Sequence, residues 1–489
     1  MVAIDGDPGQ FNPGITTAGL TRTVAGNIFN GLVFLDDQFN PQPDLAESWT
    51  VSPDAKTYTF TLANGVTWHD GQPFTSADVK FSFEQILLKY HPGTKVGLQN
   101  LLDGIDAPDP STVVMRLKQP YAPLLQRLGF TDAPILPQHV YEGTDVQTTP
   151  ANQRPIGTGP FKLAEYHKGD SVRLVRNERY FKAGLPYLDE LDFKIVPQAQ
   201  TATIALERGE VDYLTSVAEP DVAHLRALPG VSVATTSAIA SGAVNCQWLL
   251  LLNVTRSPLD KPEARQALAD AIDRQQILDE VLFGQGKVAT SPISSALAWA
   301  HDPNVAQYPH DLARANELDQ AGLPRGADGV RFTLDFPHGP GPRFADVIAQ
   351  DLSPVGIRIN AQTLDGNAAN EAIFVKHEAD LGLWGSCNGA DPDIGVPRPY
   401  VSTNVMPIVG ANIGYANPRV DELFTQAAAT SDRDQRASLY REVQDILVKD
   451  LPVLWLAEMQ PVRAYRSDYH DLAIWSGNLA ERAWTEKGQ

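Results

Sequence analysis

The chain has 489 residues, is 43% hydrophobic and carries a formal charge of −20 from 59 acidic and 39 basic residues. That length allows about three domains of ordinary size. The acidic balance argues against nucleic acid and anionic membrane surfaces as partners, since both need a net basic face. No apolar run reaches about 18 residues, so no segment reads as a membrane span. Met1 to Asp5 shows neither the basic nor the apolar region of an export signal, which is expected of a cytosolic chain or of one whose signal has been removed.

Two cysteines, Cys246 and Cys387, show no CxxC or Cys/His spacing, so no zinc site is expected. On their own they read as two buried thiols, with a disulfide plausible only in an exported protein.

The first fifty residues contain Pro8, Pro13 and several glycines and threonines, then an apolar stretch from Asn27 to Leu35 ending at Asp36-Asp37. Thr57 to Leu62 alternates polar and apolar, the pattern of a half-buried strand. Ala63-Asn64-Gly65 reads as a turn returning the chain as a hairpin through Val66–Gly71. Thr75-Ser76-Ala77-Asp78 has capping-box spacing, and Val79, Phe83, Ile86 and Leu87 follow on one helical face. His69 beside Asp70 suggests a base and its orienter, but no nucleophile accompanies them, so His69 reads as a turn-locking residue.

Thr112–Leu117 is another predicted strand, followed by a proline-rich connection. Pro155-Ile156-Gly157-Thr158-Gly159-Pro160-Phe161 resembles a phosphate loop only superficially. It lacks GxxxxGK[ST], and a strand from Phe161 to Tyr166 follows instead of a helix. A helix is predicted over Thr201–Arg208 and a short strand to Leu214. Val244 to Asn253 has a continuous apolar half, which implies burial on both faces. A helix capped by Asp260, with Pro262 in its first turn, presents Ala264, Ala267, Leu268, Ala271 and Ile272 as its buried stripe.

Residues 330–384 alternate as strand Arg331–Phe336, helix Arg343–Leu352, strand Gly356–Leu364, helix Ala368–Val375 and strand Ala379–Trp384. This βαβαβ pattern predicts a parallel sheet with covered faces. The last strand is expected to break at Trp384-Gly385-Ser386-Cys387-Asn388, bringing an indole, a hydroxyl, a thiol and an amide off a strand end. Ligands bind at such strand ends in open α/β sheets. Helices Asn417–Ala428 and Arg433–Lys449 follow, the latter with Leu439, Val443, Ile446 and Leu447 on one side. Leu451–Leu456 is the final buried strand. No internal repeat or low-complexity segment is present.

Several segments together resemble one family, the large solute-binding proteins of ATP-driven importers that carry oligopeptides, dipeptides, nickel chelates and opines (family 5). They are Pro43–Trp49, Gly65–Val79, Pro155–Phe161, Arg176–Tyr180, and Arg265–Leu268 through Ala271–Arg274. The resemblance implies an α/β, two-lobed periplasmic-binding-protein fold (type II) with an extra α/β domain inserted in the first half. Lobe I would comprise 1–30 and 151–243, the extra domain 31–150, and lobe II 244–460, with 461–489 returning to lobe I. A periplasmic monomer whose signal has been removed is then expected, with a solute cleft closing by hinge motion and a membrane permease as partner.

The resemblance also places the segment at Trp384 in the solute cleft. In dipeptide binders of the family, an aspartate two or three residues after this tryptophan holds the α-ammonium. Here Cys387 stands at that place, and a neutral thiol cannot pair an ammonium; Asp391 or Asp393 could substitute, although both look like turn carboxylates. An opine or a sugar-phosphate conjugate is therefore favoured over an oligopeptide or dipeptide. Expected contacts are Trp384, Gly385, Ser386, Cys387, Asn388 and Asn245, with Thr17, Gly19 and Leu20 on the opposing wall. Arg398 is a candidate partner for an anion, and the loop Gly410–Gly414, including Asn412 and Gly414, a source of backbone donors. The same resemblance brings Cys246 and Cys387 close enough to form a disulfide. No cofactor or metal is expected, because the histidines and cysteines have no ligand spacing. A hydrolase using Ser386 or Cys387 with His338 or His301 is a remote alternative, since no GxSxG or HExxH occurs, and the chain is read as a non-enzyme.

Overall fold

The structure is a computed structural model that describes residues 1–36, 38–235, 245–341, 343–404, 412–472 and 480–486. Asp37, Val244, Gly410 and Ala411 lie outside the described residues. The chain divides into two units, residues 1–243 with 461–489, and residues 244–460.

The first unit is built on a seven-stranded mixed sheet. Its order is Val231–Thr235, Val462–Arg466, Tyr213–Leu214, Val2–Ile4, Glu190–Ile195, Ser171–Arg176 and Phe161–His167. The two-residue period of a strand sorts its side chains between two cores. Val2 and Ile4 join Phe161, Val172, Leu174 and Phe193 on one face. Ala3 joins Leu206, Leu214, Leu225 and Ala464 on the other. A separate antiparallel sheet in the same unit has the order Ala46–Val51, Thr57–Leu62, Thr112–Leu117 and Leu102–Asp109. The alternation of Thr57–Leu62 is realised there: Tyr58, Phe60 and Leu62 are buried.

The hairpin expected after Asn64-Gly65 does not form. Thr57–Leu62 pairs with Ala46–Val51 and Thr112–Leu117, so both of its edges are taken. Val66–Gly71 is a chain of turns, with one isolated bridge between Thr67 and Pro73. The capping box is present: the Thr75 hydroxyl and the Asp78 carboxylate bond reciprocally to backbone at the start of helix Ser76–Phe81.

The turns are held by His69. Its Nδ1 accepts from the Gly157 amide at 3.2 Å and its Nε2 donates to the Gly159 carbonyl at 3.0 Å. Asn177 Nδ2 donates to the same carbonyl at 3.1 Å. Both glycines lie against residues 27–28: a Cβ on Gly157 would sit 1.8 Å from the Ile28 oxygen, and one on Gly159 2.5 Å from the Ile28 carbonyl carbon. Pro155–Phe161 is thus a backbone crossing that only glycine fits, not a phosphate loop.

The C-terminal segment of this unit is tied in by charge. Lys182 Nζ lies 2.9 Å from Asp44 and 2.7 Å from Glu481. Asn30 Nδ2 donates to both Asp44 oxygens at 3.1 Å, and Tyr180 donates to Glu481. One lysine therefore faces two carboxylates, the buried Asp44 and the half-buried Glu481, and burial raises the pKa of Asp44.

The second unit contains a four-stranded antiparallel sheet in the order Lys287–Val288, Val453–Glu458, Asn245–Leu252 and Leu381–Asn388. Strands Phe332–His338 and Ile357–Thr363 are parallel, joined through helix Phe344–Leu352 as predicted. The third strand of the expected parallel sheet corrects that reading. Leu381–Asn388 runs antiparallel to Asn245–Leu252, whose all-apolar half demands a neighbour on each side. Asp380, just before Leu381–Asn388, hydrogen-bonds the strand Phe332–His338. The Asp380 amide donates to the Asp335 carbonyl at 3.0 Å, and its carboxylate accepts from the Asp335 amide at 2.8 Å and from Arg256 at 2.6 Å. The helix after Leu259 is capped at Lys261 without a side-chain bond, not by Asp260.

Burial pushes the pKa values of His69 and His91 down to about 4, so both rings are neutral when folded. An unfolded histidine titrates near 6.5. Between those values the unfolded chain binds more protons, so stability falls as pH drops from about 6.5 to about 4, by up to about 3 kcal/mol per histidine. We expect His69→Gln, in urea melts at stepped pH, to lower the proton uptake on unfolding by about one in this window. An unchanged pH slope would show that His69 is not held neutral.

Candidate functional site

Strand Leu381–Asn388 carries the tryptophan segment, and its course differs from expectation. The strand does not break at Trp384 but continues to Asn388. Its residues therefore alternate between the faces of the sheet. Directly opposed pairs are Asn245–Asn388, Cys246–Cys387, Gln247–Ser386, Trp248–Gly385 and Leu249–Trp384. One face presents Trp384, Ser386, Asn388, Asn245 and Gln247; Gly385 and Cys387 lie on the other.

The polar face is internally bonded. Asn388 Nδ2 donates to the Asn245 carbonyl at 3.3 Å, and the Ser386 hydroxyl donates to Asn388 Oδ1 at 3.4 Å. Gln247 Nε2 donates to the Ser291 carbonyl at 3.0 Å, and Asn245 Oδ1 accepts from the Ser294 amide at 2.9 Å. Asn245 Nδ2 and the Ser294 hydroxyl, both buried, have no partner among the described residues. Buried donors left unpaired cost about 1–3 kcal/mol each, which marks this corner as a place where an acceptor is missing. Trp384 is half-buried, with its ring edge-on to Phe374 at 6.2 Å.

On the opposite face Cys246 and Cys387 are joined in a disulfide across a sequence separation of 141. Cys387 therefore offers no thiol to a solute and no nucleophile. Gly385 faces Trp248, whose ring would lie 3.2 Å from a Cβ; a side chain there would displace the indole. His301 bonds the Ile293 carbonyl and His338 the Gly339 carbonyl, whereas the Ser386 hydroxyl bonds Asn388. The structure brings no histidine to Ser386 among these contacts.

The remaining expected residues are dispersed. Thr17 and Gly19 are exposed and Leu20 half-buried at the start of helix Gly19–Ala25 in the first unit. In the second unit Asn412 Nδ2 donates to the carbonyls of Val401 and Tyr415, and Asn412 Oδ1 accepts from the Gly414 amide at 2.8 Å. Their hydrogen-bonding groups are thus committed to shaping a loop. Arg398 is half-buried, its amide bonded to the Gly395 carbonyl.

Two carboxylates in the second unit are also hydrogen-bonded. Asp391 makes a bidentate pair with Arg436 at 2.7 and 2.8 Å, and Arg436 further bonds the Ala427 carbonyl and the Tyr440 hydroxyl. Glu458, opposite Gln247, accepts from the Ser295 amide at 2.7 Å and hydroxyl at 2.6 Å. Asp391 Oδ1 also accepts from the Asp393 amide at 3.0 Å, so the turn-carboxylate reading of Asp391 holds, and the buried ion pair, 1% and 5% exposed at its two residues, is added to it.

Residues 40–406, well over half of the chain, match the model of the bacterial extracellular solute-binding proteins, family 5. The chain belongs to this family. Its relatives include di/tripeptide-binding protein 1 of Pseudomonas aeruginosa, 30% identical over 96% of this chain and 90% of that protein. Among solved structures, the Helicobacter pylori ABC transporter-associated periplasmic binding protein DppA, in complex with the peptide STSA, superposes with a TM-score of 0.81. It is 25% identical and covers 99% of this chain and 98% of its own. The binding protein AgaA of A. tumefaciens R10, in complex with agropinic acid, gives a TM-score of 0.80 at 25% identity, covering 100% and 99% of the two chains. As a family 5 member with the type II binding-protein fold, the chain is an extracellular solute-binding receptor of an ATP-driven importer. No helix among the described residues is long and apolar enough to cross a membrane.

Gln247, Ser291 and Ser294 are the polar residues of this face that sequence reading missed. Gln247 was within reach, because it alternates with Asn245 ahead of the apolar run. The two serines lie in a loop, where no periodicity marks them.

The cross-strand cystine is expected to leave no reactive thiol in the denatured, unreduced protein; two thiols by titration would contradict it. Closing so long a loop is worth about 2–5 kcal/mol. Cys246→Ser with Cys387→Ser should therefore lower the melting temperature by roughly 5–15 °C, and reductant should have no further effect on that variant.

Proposed function

We propose that this receptor binds a polar, non-peptide solute, an opine or a sugar-phosphate conjugate, through the face carrying Trp384, Ser386, Asn388, Asn245 and Gln247. The observation that carries the reading is the chemistry of that face. It offers an aromatic plate, a hydroxyl and amides, and the carboxylates Asp391 and Glu458 have their oxygens engaged by Arg436 and Ser295. An α-ammonium buried here would lack Asp391 as a counter-ion, because Arg436 already neutralises it, and burying it without one costs several kcal/mol; Glu458, bonded by the neutral Ser295 donors, keeps its charge. The unpartnered Asn245 amide and Ser294 hydroxyl are donors, which favours a solute rich in acceptors. Thr17 and Gly19, exposed in the first unit, and the half-buried Leu20 are proposed as a second group of contacts, and Arg398 as a partner for an anionic group. In this reading lobe I comprises 1–30 and 151–243, the extra domain 31–150 and lobe II 244–460, with 461–489 completing lobe I. The likeness to AgaA supports an opine. The likeness to di/tripeptide binders supports the second reading, a short peptide, which requires another anchor for the amino terminus.

Thermal-shift screening against dipeptides, tripeptides, agropinic acid and sugar phosphates decides between them. A solute at about 100 times its dissociation constant adds about 2.7 kcal/mol of stability. We expect a shift with an opine or sugar phosphate, and a tenfold or greater loss of its affinity in Trp384→Ala. A shift with free-amino-terminal peptides alone would overturn the non-peptide assignment.

A further inference from the structure

The first unit buries a positively charged cluster that its own groups do not complete. Arg22, on helix Gly19–Ala25, is 8% exposed, and His91 is fully buried. His91 caps helix Pro92–Leu98, with Nδ1 accepting from the fixed Thr94 backbone N–H at 3.1 Å. An Nδ1 that accepts from that N–H carries no proton of its own, so in the neutral ring the hydrogen sits on Nε2. Nε2 then faces Arg22 Nη2 at 3.3 Å. An imidazole N–H and a guanidinium N–H point at each other, and neither can accept. Arg22 Nε, on the same guanidinium carbon, also has no partner among the described residues.

Charge tells the same story. The charged groups acting on His91 are Arg22, Arg127 and Asp132. Asp132 lies 3.6 Å from Arg127 Nη1, while Arg22 forms no ion pair within 4 Å among the described residues. Two guanidinium charges against one carboxylate leave a surplus of +1 in a region where an uncompensated charge is costly. Three buried donors without an acceptor and one surplus positive charge have the chemistry that an oxyanion satisfies.

We infer that Arg22 and His91 form a binding site for a small anionic group, a carboxylate or phosphate, held by Arg22 Nε and Nη2 and by His91 Nε2. Arg22 follows Thr17–Leu20 within one helical turn. The inference thus rests partly on the proposal that this segment contacts the solute, in which case the anionic group is the solute's own acid. A free anion from solution is the other source of the same chemistry.

The test uses the full chain. Sodium acetate and sodium phosphate are titrated against the melting temperature of wild type, Arg22→Met and Arg22→Lys at constant ionic strength. Saturable stabilisation of wild type, lost in Arg22→Met and weakened tenfold or more in Arg22→Lys, supports the site. An equal response in wild type and Arg22→Met overturns it. Should Arg22→Met fail to fold, crystals of wild type soaked in sodium bromide decide. An anomalous peak bonded to Arg22 Nε and His91 Nε2 supports the site, and water alone at that position overturns it. Agropinic acid identifies the source: competition with acetate assigns the seat to the solute's acid, and additive stabilisation assigns it to a free anion. If no screened solute binds wild type, the proposed function fails while the anion titration still reads the site.

Discussion

The pairing of Asn245–Leu252 with Leu381–Asn388 is the constraint on which the second unit depends. In an antiparallel ladder, directly opposed residues share a face, and a shift of one residue would exchange the faces. Here the register is fixed twice on the same side of the sheet. Cys246 is bonded to Cys387, and the Trp248 ring packs closely over Gly385, where an added Cβ would lie 3.2 Å from it. Once these two contacts are set, Asn245, Gln247, Ser386 and Asn388 have no choice but to gather on the opposite face with Trp384. The disulfide stabilises the fold and, through register, also composes the polar surface behind it.

The first unit depends on a different device, a backbone crossing locked by an imidazole. Gly157 and Gly159 let residues 157–159 lie directly against Ile28, and His69 bridges the two glycines. Asn177, Asn30 with Thr158, and the Asp44–Lys182–Glu481 cluster then tie four separated segments to that crossing. His69, Asp44, Gly157, Thr158, Gly159 and Asn177 lie within family-specific sequence motifs, and Lys182 lies beside one. The motifs therefore record where the chain crosses itself rather than where it binds a solute, which is why a reading of them identifies the family and says little about the ligand.

Legibility followed the range of the interactions. Local period set the alternating strand Thr57–Leu62, the capping box at Thr75, the parallel pair with its helix, and the apolar half of Asn245–Leu252. It failed where a distant partner overrode it. Leu381–Asn388 reads as ending at Trp384 because Gly385, Ser386 and Asn388 are poor strand formers, yet the facing strand holds them extended. Helix Arg433–Asp450 reads as an aliphatic stripe, whereas its buried face includes Arg436 and Gln444. They are buried because Asp391 and the loop at Ser291 and Ala300 satisfy them. A disulfide partner, a buried ion pair and a face assignment are all pairwise facts, and a single sequence lists residues one at a time.

A net charge of −20 does not oppose an anionic solute in such a protein. Surface charges more than about 10 Å away are screened by ordinary salt, whereas a buried guanidinium acts at hydrogen-bond distance in a medium of low polarisability. What decides recognition is the balance of donors, acceptors and charge within a few ångströms. In the second unit Asp391 is already paired with Arg436, while an asparagine amide and a serine hydroxyl are left wanting acceptors. In the first, Arg22 and His91 present donors without an acceptor. Both deficits have the same sign. At each of these two points the missing group is an electron-rich oxygen, the chemistry that carboxylate, phosphate or hydroxyl groups carry.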